Sequence, residues 1–227
     1  MAKVILISGG SDGLGYAIAK RLLPRNKVTI CSPTKEKLEK AAKELNCDFE
    51  VCDVSDKGDV KTMVNNIVEK HGKIDCLVNN AGLWIQGELD SNDPDNIKRV
   101  LEVNTLGVVL LSREVIPHMK KEKNGLIINV VSQAGIYGKA ERGVYTTSKF
   151  AIAGLTKSLA DALAKYGIKV TGLYPGKLRT QMFQKMGIKK EMDNGLELEE
   201  VARTVEFILS ADKDTLFPEV GIKHINN

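Results

Sequence analysis

Short runs of β-branched residues alternate along this chain with longer stretches of helical periodicity, and that alternation constrains the fold more than any other feature. Val4–Ser8 reads as a strand and 14–23 as a helix closed by Pro24. A second strand at 27–31 precedes an amphipathic helix at Lys35–Leu45, and a third strand covers 48–52. Ser55 is placed to cap the next helix, which ends near His71-Gly72. A fourth strand at 74–79 is followed by helical periodicity over 95–119, with Gly107 and Pro117 as candidate interruptions. A fifth strand at 125–132, a long helix at 144–166 closed by Gly167, and a sixth strand at 168–174 come next. A last helix at Leu198–Ser210 leads to a short final strand at 221–225.

Seven strands separated by helices predict an α/β architecture: a mostly parallel sheet with helices on both faces. Right-handed crossovers make such a sheet doubly wound. Its ligands bind beyond the carboxyl ends of the strands, near the point where strand order switches. The loops after strands one, four, five and six are therefore the ones to examine.

With 227 residues the chain suits one α/β domain, or at most two small ones, and can bury a core without disulfides or metals. A formal net charge of +4 is too small to imply a nucleic-acid partner. The basic run Lys120, Lys121, Lys123 follows an apolar helical stretch and is read as complementing a helix C-terminus. Cys31, Cys47, Cys52 and Cys76 form no CxxC pair and have three histidines to join, so no metal site is expected. Free thiols and an N-terminus running straight into strand residues point to a cytoplasmic protein. The apolar run 126–131, interrupted by Asn129, is too short for a bilayer, so no membrane partner is expected.

The first strand ends in Ser8-Gly9-Gly10-Ser11-Asp12-Gly13-Leu14-Gly15 and a helix follows at once. Glycines let the backbone approach a phosphate, and a helix N-terminus offers unpaired N–H groups to an anion. The spacing is GxxxGxG; the GxGxxG fingerprint fails because its third glycine would fall at Ile18, and no Gly-Lys-Ser/Thr follows for a Walker loop. A tight strand–helix turn is the alternative reading of the same residues.

Further residues complete a pattern. Asp53-Val54 ends the third strand, Asn79-Asn80-Ala81-Gly82 the fourth and Ser132 the fifth; Asn104-x-x-Gly107 lies in a helix; Tyr145 and Lys149 form YxxxK; Pro175-Gly176 and Thr180 follow the sixth strand. Together these resemble the short-chain dehydrogenase/reductase family, in its single-domain branch, over nearly the whole chain and in the right order. The resemblance implies a Rossmann fold spanning 1–227, bound NADP or NAD, and a carbonyl or secondary alcohol as substrate. It implies cofactor contacts from Ser8 through Gly15 (Ser8, Gly9, Ser11, Asp12, Gly13, Leu14 and Gly15) and from Asp53 and Val54 beside adenine. It adds Asn80, Ala81 and Gly82, then Pro175, Gly176, Leu178 and Thr180. Asn104, Ser132, Tyr145 and Lys149 match its catalytic residues, with Asn104 holding a water near Lys149 that relays protons. It also implies a homodimer or homotetramer formed through the helices that hold Asn104 and Tyr145.

The chemistry can also be argued from the residues. Tyr145 and Lys149, four apart on a helix, share a face. A phenol titrating near 10 is a poor base at neutrality, and a lysine cation beside it, with an oxidised nicotinamide, would favour phenolate. Tyr145 then serves as general acid or base, Ser132 orients the reacting oxygen, and Lys149 lowers the tyrosine pKa and holds the cofactor ribose. Asp53 has a second reading as cap of the following helix, shared with Ser55.

NAD-preferring sites place an acid at the end of strand two. Here that stretch is Ile30-Cys31-Ser32-Pro33-Thr34-Lys35, so the expectation leans to NADP, with Ser32 and Thr34 in contact with it; Asp12 would oppose a phosphate. Residues 177–196, with Met182, Phe183, Met186, Ile188 and Met192, read as a substrate lid or as an ordinary amphipathic helix, and Leu83, Trp84 and Ile85 as the facing wall. Two rivals remain. An epimerase or dehydratase of the longer branch would carry a C-terminal substrate domain, whereas this chain ends soon after its seventh strand. A non-catalytic nucleotide-binding regulator would break the catalytic set.

Overall fold

All five residues of β1 (Val4–Ser8) are buried, as a strand covered on both faces requires. Its side chains alternate: Ile5 and Ile7 enter one core, Val4 and Leu6 the other. In the computed structural model, which describes residues 2–180 and 194–226, β1 lies in an all-parallel sheet with β2 (Lys27–Ser32), β3 (Asp48–Val51), β4 (Cys76–Asn79), β5 (Gly125–Val130), β6 (Ile168–Pro175) and β7 (Glu219–Ile222). The order is β3-β2-β1-β4-β5-β6-β7. The switch point is between β1 and β4, where Ile7 pairs with Val78.

Helices α1 (Gly13–Leu22), α2 (Lys35–Leu45) and α7 (Leu198–Ser210) bury apolar stripes against one face of the sheet. On the other lie α3 (Lys57–His71), α5 (Gly107–Glu122) and α6 (Gly143–Ala164), reached after α4 (Pro94–Leu101). This is the doubly wound arrangement that the alternation predicts.

Several boundaries differ from expectation. The strands expected at 48–52, 74–79 and 125–132 are shorter, and the last begins earlier and ends at Ile222. The single helix expected over 95–119 is two, joined by a π-helical turn at Glu102–Leu106 in which the Gly107 N–H donates to the Glu102 carbonyl. Pro117 does not interrupt α5; it sits on the exposed side of the helix, which runs through it. Lys120 and Lys121 occupy the last turn of α5, favourably for the dipole, and Lys123 is its left-handed C-cap with φ 48°. The cap of α3 is Asp56, not Ser55 or Asp53: its Oδ1 accepts from the N–H of Gly58 at 2.7 Å and of Asp59 at 2.9 Å. Ser55 Oγ instead donates to Asp53 Oδ1 at 2.7 Å. No helix among the described residues is long and apolar enough to cross a membrane.

Candidate active site

The turn after β1 is stitched to the turn after β4. Ser8 Oγ, buried, accepts from the N–H groups of Asn80 and Ala81, both at 3.0 Å. Asn80 Nδ2 returns a bond to the Ser8 carbonyl at 2.9 Å and reaches the Gly9 carbonyl at 3.2 Å. The backbones approach so closely that a Cβ at Gly15 would stand 2.3 Å from the Gly9 oxygen, and one at Gly9, where φ is 67°, 2.9 Å from Ala81 Cα. Asp12 precedes α1 in extended conformation and does not cap it with its side chain. The first turn of α1 thus presents backbone N–H groups at the cleft, the arrangement that holds a phosphate. Beneath this turn Asn79 Nδ2 donates to Asn129 Oδ1 at 2.8 Å and to Ser112 Oγ at 3.2 Å, fixing β4 to β5 and α5.

Ser132 follows β5 with φ 81° and ψ 156°, a strained conformation for a residue with a side chain. It is held there from β6, whose Leu173 carbonyl accepts from the N–H of Val131 at 2.8 Å and of Ser132 at 3.3 Å. The expected pair on α6 is present: Lys149, 6% exposed, lies with its Nζ 5.7 Å from the Tyr145 ring centre. The ammonium donates to the Val130 carbonyl at 2.9 Å. Burial pushes the Lys149 amine down to about 8. Burial likewise pushes Tyr145 up to about 12, against downward pulls from the Ser132 hydrogen bond and the Arg142 charge. Burial outweighs both downward pulls on the phenol.

Asn104 is fully buried in the π-helical turn. Its Oδ1 accepts from the Leu83 N–H at 2.7 Å, and its Nδ2 donates to the Leu83 carbonyl at 2.9 Å and to Ser148 Oγ at 3.1 Å. Ser148 Oγ donates in turn to the Tyr145 carbonyl at 2.7 Å. Both amide donors are used, so this side chain clamps the loop after β4.

One cleft of about 210 Å³, partly open to solvent, collects most of the expected residues at the carboxyl edge of the sheet. Gly9, Gly13 and Leu14 line one end, Asn80, Ala81 and Gly82 the floor, and Ser132, Tyr145 and Lys149 the far wall. Pro175, Gly176, Leu178 and Thr180 supply the side after β6. Ser8 and Gly15 lie behind the glycine turn and Asn104 beneath the floor. Ser11 and Asp12 border an adjoining groove with Lys37, Lys40, Glu44 and Arg179. Ser32 is buried and its Oγ accepts from Ser11 Oγ at 3.2 Å, while Thr34 is exposed at the start of α2.

Val54 is buried, and the carboxylate of Asp53 is already engaged. Its Oδ1 accepts from Ser55, and its Oδ2 from Arg99 Nη2 at 2.6 Å, while Arg99 Nη1 donates to Ser55 Oγ at 2.7 Å. Burial pushes this carboxyl up, but the bonds from Ser55 and Arg99 prevail and hold it below its usual range. Arg99 was not legible beforehand, being 46 residues away from Asp53 in sequence.

At the substrate end Leu83 and Trp84 line the cleft. Ile85 is buried against Val100 and Val144. Trp84 packs on Tyr145 with ring centres 4.4 Å apart, and the Arg142 guanidinium stands 5.1 Å from the Trp84 ring centre. Met182, Phe183, Met186, Ile188 and Met192 lie outside the described residues. The bases of that segment are joined, the Leu196 N–H donating to the Lys177 carbonyl at 2.8 Å and the Arg179 N–H to the Leu196 carbonyl at 2.9 Å.

A family model described as short chain dehydrogenase matches residues 3–191. A 3-oxoacyl-acyl-carrier-protein reductase of Thermotoga maritima is 33% identical over 233 residues, covering 96% of this chain and 94% of the reductase. The structure of a 3-ketoacyl-(acyl-carrier-protein) reductase from Brucella melitensis complexed with NADH superposes with a TM-score of 0.92 at 28% identity, over 98% of this chain and 97% of that one. An alcohol dehydrogenase from Thermococcus sibiricus complexed with 5-hydroxy-NADP superposes with a TM-score of 0.91 at 25% identity, over 100% and 98%.

Proposed function

The chain belongs to the short-chain dehydrogenase family, and on that premise we propose how its own residues carry the reaction. It is an NAD(P)-dependent oxidoreductase that interconverts a carbonyl and an alcohol. The observation that carries the residue-level reading is the convergence of Ser132, Tyr145 and Lys149 on one wall of a cleft whose other end is the glycine turn. The cofactor fits the residues present: the close approach of Gly9 and Gly15 leaves backbone N–H groups facing the cleft, and a Cβ at Gly13 would meet no atom within 4 Å.

The bound nicotinamide supplies or accepts the hydride. Tyr145 and Ser132 supply the rest at the substrate oxygen. With its phenol pushed up to about 12, Tyr145 is protonated at neutral pH and donates its proton to the oxygen as negative charge develops there. Ser132, whose Oγ already accepts from the Ala134 N–H at 3.3 Å, donates to the same oxygen and orients it. Alcohol oxidation requires the phenolate, which a cation in the cleft favours. Lys149 holds the cofactor ribose on the floor beside Gly82 and adds positive charge there. Tyr145→Phe is expected to lose turnover by at least a hundredfold while still binding NADPH, a loss within the range of general acid–base catalysis; near-normal turnover overturns the reading. A non-catalytic regulator on this scaffold is disfavoured because Asn104, Ser132, Tyr145 and Lys149 are all in place.

NADP is the preferred cofactor in this reading. No acid ends β2, Thr34 is exposed beside it, and Lys37, Lys40 and Arg179 border the adjoining groove against Asp12 and Glu44. Turnover with NADPH and NADH side by side tests this, and an NADH preference refutes it. The chain acts as one domain. A homodimer or homotetramer is supported by Leu106 and Phe150, exposed on the elements that hold Asn104 and Tyr145, and by Val109 on the adjoining α5; light scattering at the 24.9 kDa monomer mass contradicts it. Four unpaired cysteines support a cytoplasmic location.

A further inference from the structure

Trp84 is the one tryptophan of the chain, and its ring has a guanidinium on one side and a phenol on another. The Arg142 carbon lies 5.1 Å from its centre, and the Tyr145 ring centre 4.4 Å away with the planes inclined by 52°. We propose that Arg142 is a positioning residue for the Tyr145 hydroxyl, acting through the Trp84 ring clamped between them. This rests on the reading of Tyr145 as the proton-transfer residue.

The backbones on both sides of this stack are fixed, and its rings are not fixed by them. Tyr145 is tied at its carbonyl by Ser148 Oγ, and the residue before Trp84 is tied at both backbone groups by Asn104. Those backbone ties leave the side-chain torsions of both rings to be set by what packs against them. Arg142 immediately precedes α6, three residues and about one turn before Tyr145, so its side chain reaches the same side of the helix. A cation over an indole face is attracted by the ring quadrupole, and Trp is the strongest partner of this kind. The indole so held forms a wall of the cleft against which the phenol packs, and the hydroxyl hydrogen-bonds with Ser132.

The charged surroundings of the phenol make Arg142 electrostatically conspicuous as well. On α6, Lys149 is directed to the Val130 carbonyl, and the neighbouring Glu141 is held by Gln86 Nε2 at 3.1 Å. Residues 80–87 and the turn at 133–135 carry no charged side chain. On α4, Arg99 is paired with Asp53, and Lys98 with Glu102 of the adjoining turn. Arg142 therefore both props the indole and lends positive potential to the phenol.

The test uses Arg142→Gln, Arg142→Lys and Tyr145→Phe in the full-length protein, read by kinetics and by the emission of Trp84, which no other indole obscures. Arg142→Gln should lower kcat about fivefold or more, with the KM for cofactor within about twofold, as expected for losing a partly desolvated cation–π contact. It should also red-shift Trp84 emission and move the limb of the alcohol-oxidation pH profile upward. Arg142→Lys should restore most of all three. Unchanged kcat, emission and pH limb in Arg142→Gln overturn the inference, as does a Lys variant that is folded by circular dichroism yet no better than Gln. Turnover surviving in Tyr145→Phe would instead defeat the catalytic reading itself, whatever Arg142 does to the indole.

Discussion

The Asn104 side chain closes both backbone hydrogen bonds of Leu83, accepting from its N–H at 2.7 Å and donating to its carbonyl at 2.9 Å. An amide reproduces here the pairing that a neighbouring strand would give, on a loop that has no strand beside it. The loop so held carries Gly82 on the cleft floor and Trp84 on its wall.

Asn104→Ala removes three hydrogen bonds from a fully buried position. Leaving buried polar partners unpaired costs about 1–3 kcal/mol. The expected Tm loss is roughly 4–10 °C for a domain of this size. Calorimetry checks it, and turnover should fall along with it because the cleft floor loosens. Asn104→Asp keeps the bond from the Leu83 N–H but gives up both donors, so it should lie no closer to wild type than the alanine variant does.

Ser132 offers a case where stability and activity separate. Its φ of 81° suits glycine and strains any other residue. Ser132→Gly and Ser132→Ala lose the same hydroxyl and should lose turnover alike. The glycine variant relaxes the backbone and should be more stable than the alanine variant by about 1 kcal/mol, the lower end of such strain after the entropic cost of glycine. Urea denaturation measures the difference. Equal midpoints would show that the surrounding turn, not the residue, sets that conformation.

Burial holds the Lys149 amine at about 8 against its ordinary 10.5. Below 8 the ammonium is charged in both the folded and unfolded chain, and the folded state bears the full cost of burying it. Between 8 and 10.5 the unfolded chain keeps a proton that the fold has released, so stability rises with pH across that window. Lys149→Met abolishes the cost, roughly 3 kcal/mol before relaxation, and gives up the Val130 bond, about 1 kcal/mol. The variant should therefore be inactive yet melt roughly 2–8 °C higher at pH 7. Its advantage should shrink by pH 10. A gap that does not change with pH would show that the ammonium is well solvated.

The parallel sheet and its two helical layers could be read from periodicity because each strand buries a local run and each helix a local stripe. The meeting of Ser132, Tyr145 and Lys149 in one cleft could be read because YxxxK and a strand-end serine are local patterns at positions that a doubly wound sheet brings to one edge. What escaped depends on contacts without a local signature. The π-helical turn at Glu102–Leu106 changes the hydrogen-bond register but not the apolar spacing, so 95–119 reads as one helix. Ser55 and Asp56 are both good caps, and a one-residue shift in the helix start decides between them. Arg99 reaches Asp53 from α4, and Arg142 reaches Trp84 from another loop, pairings that emerge only when the chain is folded. Asn104 did leave a signal, a polar residue in an apolar helix, but not its bonds to Leu83.

The glycine turn separates two demands that its motif merges. A Cβ at Gly15 would lie 2.3 Å from the Gly9 oxygen and 2.6 Å from Asn80 Nδ2, so Gly15→Ala must push the turn after β1 off the turn after β4. A Cβ at Gly13 would touch nothing within 4 Å, although φ there is 57°. Gly13→Ala therefore costs only the left-handed strain, about 1 kcal/mol, and its methyl group projects from the mouth of the anion site. Gly13→Ala should fold with a Tm within about 4 °C of wild type and bind cofactor more weakly by tenfold or more, since every 1.4 kcal/mol of displaced contact is about a factor of ten. Gly15→Ala should instead melt well below it and bind poorly only as a consequence. Calorimetry with and without NADPH distinguishes them: for Gly13→Ala the unliganded Tm is kept and the cofactor-induced rise is lost. If Gly13→Ala keeps that rise, the phosphate does not sit over the first turn of α1.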